Sequence, residues 1–255
     1  MTRSAFDEKA LAEALRLAGV SFSAEQCAQM LPAVDVLLAR YTQRREWYLD
    51  NGLSPAEVFD PLMGAAPPAT SPRFAFSTGS ASALPGNEDD IAFASIEELG
   101  RWLRRGTISA RALTGLYLSR LQRLGPKLEC VVTSMDRAAL AQADRADAEL
   151  GNGVDRGPLH GIPWVAKDLF DTAGVTTGWG AEPFRDRVPD TDAEVVRRLD
   201  AAGAVLLAKV SLGALAYGDV WYEGVTRNPW NLEEGSTGSS AGSGAAVAAG
   251  LAAFG

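Results

Sequence analysis

The sequence predicts an α/β protein preceded by a small helical unit, and three observations support this class. Residues 5–50 carry apolar residues at helical spacing. Two apolar, β-branched runs, "HGIPWVAKDLF" and "GAVLLAKVSL", are bounded by Gly and Pro, as is typical of buried strands. Between them "TDAEVVRRLDAAGA" is predicted to form a helix that opens at Asp190 or Thr191 and closes at Gly203. The alternation of strand, helix and strand indicates an α/β layer.

The N-terminal unit is predicted to contain two helices. The first covers "FDEKALAEALRLAGV", in which Leu11 and Leu15 belong to an apolar stripe. The second follows Ser23, a natural N-cap residue, and its apolar positions recur as far as Tyr41. Residues 63–90 are rich in Pro, Ala, Ser and Gly and show no periodicity, which is typical of a linker. We therefore predict a helical extension over 1–62, a linker over 63–90 and a main domain over 91–255.

The main domain is predicted to open with helices. Ser95 and Glu98 have the spacing of a capping box. Ser109 is the predicted cap of a second helix, and Gly125-Pro126 is its predicted stop. "LECVVTSM" then predicts a short strand and "DRAALAQADRADAELGNG" a further helix.

Composition excludes some classes of function. The net charge of −8 argues against nucleic acid as a partner, because phosphate binding needs a basic surface. His160 is the single histidine, so zinc sites built from several histidines are excluded, and we expect neither a metal nor a cofactor. Cys27 and Cys130 lack metal-type spacing and indicate two reduced thiols. The N-terminus lacks an apolar signal core and no run approaches a membrane span in length, so we predict a cytoplasmic protein without membrane contact.

Lys167 ends the first apolar run, and two interpretations of it are open. Apolar neighbours desolvate an amine, which lowers its pKa and suits it to act as a general base. Alternatively, the side chain reaches from a strand end to water or pairs with Asp168. Lys209, at the end of the second run, is interpreted as a solvated lysine.

The stretch "STGSSAGSGAAVAAG" is a Gly/Ser loop that runs into a helix of small residues. Glycines allow a ligand or a partner chain to approach the backbone closely, and serines supply hydroxyls that donate and accept. A phosphate-binding loop would need a lysine, which is absent here. A flexible linker is the other alternative, and the small-residue helix behind the loop argues against it.

Together, "GPLHGIPWVAKDLFDTAGVTTGWG" and "NPWNLEEGSTGSSAGSGAAVAAG" resemble the lysine block and the Gly/Ser block of the amidase signature family. The resemblance covers about residues 91–255 and implies that family's mixed sheet flanked by helices, incomplete in this chain. It also implies a Ser-cisSer-Lys triad, in which Lys167 is the base and Ser239 the bridging serine with a cis peptide bond. A small-molecule amide would be the substrate. His160 is then expected to be structural, and Ser240 and Ser243 are expected to hydrogen-bond within the loop or to cap the helix.

The sequence departs from the family pattern in several places. Thr237 and Ala241 stand where glycine is usual, and "KVSLGALAYG" lacks an acidic residue often found there. The family's nucleophilic serine lies about two dozen residues beyond the bridging serine, which places it past Gly255. We therefore expect this chain to be the N-terminal portion of a longer amidase and to be inactive by itself.

Three functions follow from these observations. The first is a C–N amide hydrolase that works through an acyl-enzyme. The second is the glutaminase subunit of a tRNA-dependent amidotransferase, whose small helical companion protein residues 5–62 faintly resemble. The third is a non-catalytic interaction module. The N-terminal helices would pack on the main domain or form a homodimer contact.

Overall fold

The computed structural model describes residues 7–50, 53–57, 59, 63 and 82–255. The contacts along the chain define two units, Met1–Arg73 and Phe74–Gly255. Most of the predicted linker, residues 64–81, lies outside the described residues. The division into an extension, a linker and a main domain therefore stays a prediction.

The first unit contains the two predicted helices, α1 (Glu8–Leu17) and α2 (Ala24–Arg45). Ser23 caps α2 as predicted: its hydroxyl accepts from the backbone N–H of Gln26, whose side chain accepts in return from the N–H of Ser23.

The second unit contains six helices and seven strands among its described residues. The helices are α3 (Glu88–Ala92), α4 (Ile96–Arg104), α5 (Ala110–Leu128), α6 (Asp136–Gly151), α7 (Glu194–Ala201) and α8 (Ala241–Ala248). The strands are β1 (Val131–Ser134), β2 (Pro163–Lys167), β3 (Val205–Val210), β4 (Val220–Trp221), β5 (Gly224–Val225), β6 (Arg227–Asn228) and β7 (Asn231–Gly235). Helix α3 begins inside the segment that the sequence predicts as linker.

The central sheet has the strand order β1-β3-β2 and confirms the predicted mixed architecture. Strands β2 and β3 are parallel, and β1 is antiparallel to β3. The remaining strands form two small hairpins, β4–β5 and β6–β7.

Apolar clusters cover both faces of this sheet. On one face Val165 packs in a cluster with α4, α5, α6 and α8, and on the other Trp164 and Ala166 pack with Val196 of α7. Because side chains alternate along a strand, Lys167 lies on the same face as Val165, beneath α8. The second lysine, Lys209, is paired with Ala166 and lies on the opposite face.

Helix α5 does not stop at Gly125-Pro126, so that prediction is wrong. The helix continues through the exposed Pro126 to the buried Leu128 and ends at Glu129, whose backbone is left-handed with φ 48°. The Glu129 carboxylate accepts from the N–H of Val225 at 3.0 Å, which holds this residue in place. The packing of the last turn stabilises the helix more than the missing backbone N–H of Pro126 destabilises it.

The predicted start of α7 differs from the structure, and the predicted capping box of α4 is found only in part. Helix α7 begins after Ala193, without a side-chain cap, and not at Asp190 or Thr191. The nearest candidate cap, Asp192, instead accepts from the N–H of Ala173 at 2.7 Å. The capping box of α4 is only half formed. The hydroxyl of Ser95 accepts from the backbone N–H of Glu98, but the Glu98 carboxylate accepts from Ser82 and not from the N–H of Ser95.

The Glu98 carboxylate is committed elsewhere. It accepts from the backbone N–H and the hydroxyl of Ser82, and these bonds lower its pKa.

In the described part of the chain, no helix is both long and apolar enough to cross a membrane.

Candidate functional site

The amine of Lys167 stands at the carboxyl end of β2, on the face that α8 covers. The strand reaches this point because Pro163, Trp164, Val165 and Ala166 are all buried. Lys167 itself is only half-buried. The apolar strand thus carries the amine to the border between the core and solvent.

Ser239 lies in the turn that leads into α8, and the bond between Gly238 and Ser239 is cis. Three contacts hold this turn. The N–H of Gly213 donates to the Ser239 carbonyl at 3.3 Å. The N–H of Thr237 donates to the Asp219 carboxylate at 2.9 Å. A side chain at Gly238 would collide with the backbone of a neighbouring loop, at the carbonyl of residue 218.

The Gly/Ser stretch is therefore a packed turn and the first half of a helix. Helix α8 already includes Gly242, where a side chain would come within 2.5 Å of the Ser211 backbone nitrogen. This close approach lets the N–H of Gly242 donate to the Ser211 carbonyl at 2.9 Å. Glycine is needed here for contact between two backbones.

The structure brings the two predicted site residues together. Lys167 Nζ donates to Ser239 Oγ at 2.8 Å and to Ser240 Oγ at 3.1 Å. Desolvation lowers the pKa of the Lys167 amine below its ordinary value. A partly desolvated amine in contact with two hydroxyls can exchange protons with either of them.

The hydroxyl of Ser240 has a different hydrogen-bond partner from those predicted. It occupies the N-cap position of α8, but its side chain makes no capping hydrogen bond. Its hydroxyl contacts Lys167 instead. Ser243 lies one turn further, inside α8. The sequence could not separate these roles, because adjacent serines in a loop look alike.

The prediction of a solvated Lys209 is wrong. Its side chain is fully buried and forms an ion pair with Asp168, whose carboxylate lies 3.0 Å from Nζ. The same amine donates to Thr177 Oγ1 at 2.8 Å and to the Phe170 carbonyl at 2.9 Å. Burial pushes the pKa of Asp168 up and that of Lys209 down, while their attraction opposes both shifts.

This ion pair excludes one of the alternatives for Lys167, the pairing with Asp168. Asp168 is committed to Lys209 on the opposite face of the sheet and accepts from the N–H of Gly178 at 2.7 Å. The sequence contains a signal for this pair. When β2 and β3 are aligned in parallel, the side chains of Asp168 and Lys209 both fall on the same face of the sheet as Ala166.

His160 precedes β2 at the end of the strand away from Lys167. It is buried, its Nδ1 accepts from the N–H of Arg156 at 3.1 Å, and its Nε2 lies 3.0 Å from the Glu149 carboxylate. A side chain at Gly203 would collide with the imidazole ring. Burial lowers the pKa of His160. These contacts are typical of a histidine that packs in the protein interior.

In the described part of the chain, neither the cysteines nor the acidic side chains form a metal-type cluster. Cys27 and Cys130 are both buried and free, and burial raises the pKa of the Cys130 thiol to about 12. Across residues 7–50 and 82–255, and the few described between them, no group of three or more His, Cys, Asp or Glu side chains could hold a metal ion.

Comparison with known proteins finds related sequences along most of the second unit. The family model described as Amidase matches residues 112–255. The chain is 45% identical over 164 residues to a glutamyl-tRNA(Gln) amidotransferase subunit of Halorhodospira halophila, an alignment that covers 62% of this chain and 33% of that protein. The chain thus spans about one third of the length of the relatives it matches.

Solved structures of amidases share the fold. The native peptide amidase from Stenotrophomonas maltophilia superimposes with a TM-score of 0.58 at 37% identity, covering 62% of this chain and 34% of that one. A structure titled fatty acid amide hydrolase superimposes with a TM-score of 0.62 at 27% identity, covering 67% of this chain and 31% of that one.

Replacing Lys209 tests the buried pair. Lys209→Met leaves the Asp168 carboxylate buried without its cation, so we expect a loss of about 3–5 kcal/mol in the free energy of unfolding, measured by urea denaturation. The exposed Lys127→Met is the matched control, and we expect it to change stability by less than about 0.5 kcal/mol. Equal, small effects of both substitutions would contradict a structural role for the pair.

Proposed function

The chain belongs to the amidase family, and we propose that it supplies the base and the bridging serine of a hydrolase that cleaves a C–N amide bond. In this proposal Lys167 is the general base, Ser239 relays protons, and a serine outside residues 1–255 attacks the substrate carbonyl. The observation that carries the proposal is the 2.8 Å contact between Lys167 Nζ and Ser239 Oγ.

The proposed proton path follows from this contact. Neutral Lys167 accepts the proton of Ser239, and Ser239 accepts the proton of the nucleophilic serine as that serine bonds to the amide carbon. The relay then reverses and delivers a proton to the leaving amine, which leaves an acyl-enzyme for water to hydrolyse. Desolvation supports the first step, because it lowers the pKa of Lys167 and so increases the neutral fraction.

The second hydrogen bond of the Lys167 amine, to Ser240, concerns the orientation of the amine. Ser240 Oγ lies 3.1 Å from Lys167 Nζ, so the amine is held between two hydroxyls. A neutral amine has one lone pair and two N–H groups, and it can donate to Ser240 while it accepts from Ser239. We propose that Ser240 orients the amine in this way.

Phe254 lies beside the strand that carries Lys167. Phe254 forms a parallel bridge to Trp164 on the edge of β2 that faces away from β3, and its carbonyl accepts from the N–H of Val165 at 3.1 Å. The Trp164 and Phe254 rings stack 5.9 Å apart. Chain that continues along β2 in this direction advances by about 3.3 Å per residue toward Lys167.

Substitution at the two site residues tests the proposal in the longer protein. We expect Ser239→Ala and Lys167→Met each to lower kcat for a simple amide by about 10³-fold or more, because each breaks the proton path. The measurement is ammonia release. Ser243→Ala, which replaces a serine inside α8, and Lys127→Met are the matched controls and should retain activity.

The pH dependence adds a second test. The base must be neutral, so kcat/KM should rise with pH through the pKa of Lys167, below the value of about 10.4 for an ordinary lysine. We expect the 255-residue chain to release no ammonia under the same conditions, since it lacks the proposed nucleophile. Turnover by that chain, or activity that survives Ser239→Ala, would refute the proposal.

A glutaminase is the second candidate, because the 45% identical relative is named as part of an amidotransferase. The discriminating measurement is ammonia release from glutamine and from simple amides, by the longer protein alone and with candidate companion proteins. Glutamine hydrolysis only with companions present favours the glutaminase. Simple amide hydrolysis by the protein alone favours the first proposal, and no hydrolysis of either favours the non-catalytic module.

Some expectations stay predictions: a small-molecule amide as substrate, a homodimer contact through the N-terminal helices, the absence of nucleic-acid and membrane partners, and a cytoplasmic location.

A further inference from the structure

Thr237 has a backbone conformation that its own side chain disfavours. In the described part of the chain, five residues other than glycine have positive φ angles, and Thr237, with φ 59°, is the one β-branched residue among them. A β-branched residue with left-handed backbone is an outlier that persists only where the surrounding structure enforces it. Thr237 lies two residues before Ser239, so the contacts that enforce this conformation also determine the path of the Ser239 turn.

The chain before the turn is held by two hydrogen bonds. The N–H of Ser236 donates to the Thr226 carbonyl at 2.8 Å, and the N–H of Thr237 donates to the Asp219 carboxylate at 2.9 Å. The second bond fixes the peptide group that precedes Thr237. The φ angle of Thr237 then directs the chain that follows this peptide group.

The far end of the turn is fixed as well. The N–H of Gly213 donates to the Ser239 carbonyl at 3.3 Å. If Thr237 relaxed to a negative φ angle, either the peptide group before it or the Ser239 carbonyl would have to leave its hydrogen bond. The bond to Asp219 opposes the first of these two movements.

Asp219 can oppose this movement because it is itself anchored to the core. Its backbone carbonyl accepts from the N–H of Thr226 at 3.1 Å, and Thr226 Oγ1 lies 2.6 Å from Ser211 Oγ. Thr226 and Ser211 are both fully buried, and the Ser211 carbonyl accepts from the N–H of Gly242 in α8 at 2.9 Å. A side chain at Gly235 would collide with the Asp219 carboxylate, which is therefore confined on that side. The carboxylate is a fixed acceptor, as the support of a precise site requires.

We propose that Asp219 is a positioning residue: its carboxylate holds Thr237 in the left-handed conformation, and the turn that follows then places Ser239 Oγ against Lys167 Nζ. Its effect on rate rests on the proposed amide hydrolysis. Asp219 acts through Thr237 and takes no part in the proton path. The need for Asp219 should therefore disappear when residue 237 is glycine, for which left-handed backbone has no steric cost.

A double-mutant cycle in the longer protein tests this dependence. Asp219→Ala removes the acceptor, Thr237→Gly removes the strain, and a third variant carries both substitutions. We expect Asp219→Ala to lower kcat for a simple amide about tenfold, because a small misplacement of a reacting group is costly. We expect Thr237→Gly to change kcat less than about twofold, and Asp219→Ala to lower it less than about threefold in the Thr237→Gly background. A loss of the same size in both backgrounds would overturn the inference.

Two controls separate positioning from charge and from stability. Asp219→Asn keeps a side-chain oxygen that can accept from the N–H of Thr237 and removes the charge, so it should lose less than about threefold in kcat. Asp147→Ala removes another half-buried carboxylate, which accepts from the N–H groups of Ala110 and Arg111 at 2.6 Å and 3.0 Å. It should lower the melting temperature and leave kcat unchanged. The inference is wrong if either control loses as much rate as Asp219→Ala.

A crystal structure of Asp219→Ala provides a readout that does not depend on activity. We expect Thr237 to leave the left-handed region and the hydrogen bond between Ser239 Oγ and Lys167 Nζ to be lost. An unchanged turn would overturn the inference. If Asp219→Ala does not fold, the double variant decides: folding restored by Thr237→Gly supports the inference, and folding not restored overturns it.

Failure of the inference and failure of the proposed function can be told apart. If Ser239→Ala abolishes all turnover while Asp219→Ala changes neither kcat nor the turn, only the positioning role is wrong. If turnover survives Ser239→Ala, the proposed function is wrong. The crystal structure of Asp219→Ala then still decides whether Asp219 holds the turn.

Discussion

The contact between the Lys167 amine and the Ser239 hydroxyl is the interaction on which the rest of the site depends. It joins a strand end to a turn 72 residues later in the chain. A lysine can accept a proton at neutral pH only if its surroundings disfavour the ammonium form. The buried strand below the amine and the small-residue helix above it supply such surroundings, so the core that stabilises the fold also lowers the pKa of Lys167.

The sheet separates two lysines whose like charges would otherwise repel each other. Lys167 is the last residue of β2 and Lys209 the last but one of the adjacent parallel strand β3, and their side chains point to opposite faces. Lys209 is paired with Asp168, so its charge is neutralised locally. Among the described residues, Lys167 has hydroxyl partners and no carboxylate in its hydrogen bonds. A carboxylate beside Lys167 would favour the ammonium form and raise its pKa, which is the wrong direction for a base.

Much of this arrangement could be predicted from the sequence. Apolar β-branched runs indicated the strands, helical spacing indicated the helices, and the resemblance of the two sequence blocks to the amidase signature family implied the pairing of Lys167 with Ser239. The buried role of Lys209 could not be seen without the register of β2 and β3, because the charge of a lysine alone favours solvent. The start of α7 and the end of α5 were missed for a related reason: tertiary partners of Asp192 and Glu129 outweigh local capping preferences.

The titration of the Lys167 amine tests the account most directly. Its side-chain resonances can be followed by heteronuclear NMR in the folded protein with isotope-labelled lysine, and assigned by their loss in Lys167→Met. The account predicts a pKa below the ordinary lysine value of about 10.4, since desolvation without a carboxylate partner favours the neutral amine. A pKa at or above that value would show a solvated or ion-paired ammonium and would contradict the assignment of Lys167 as a base.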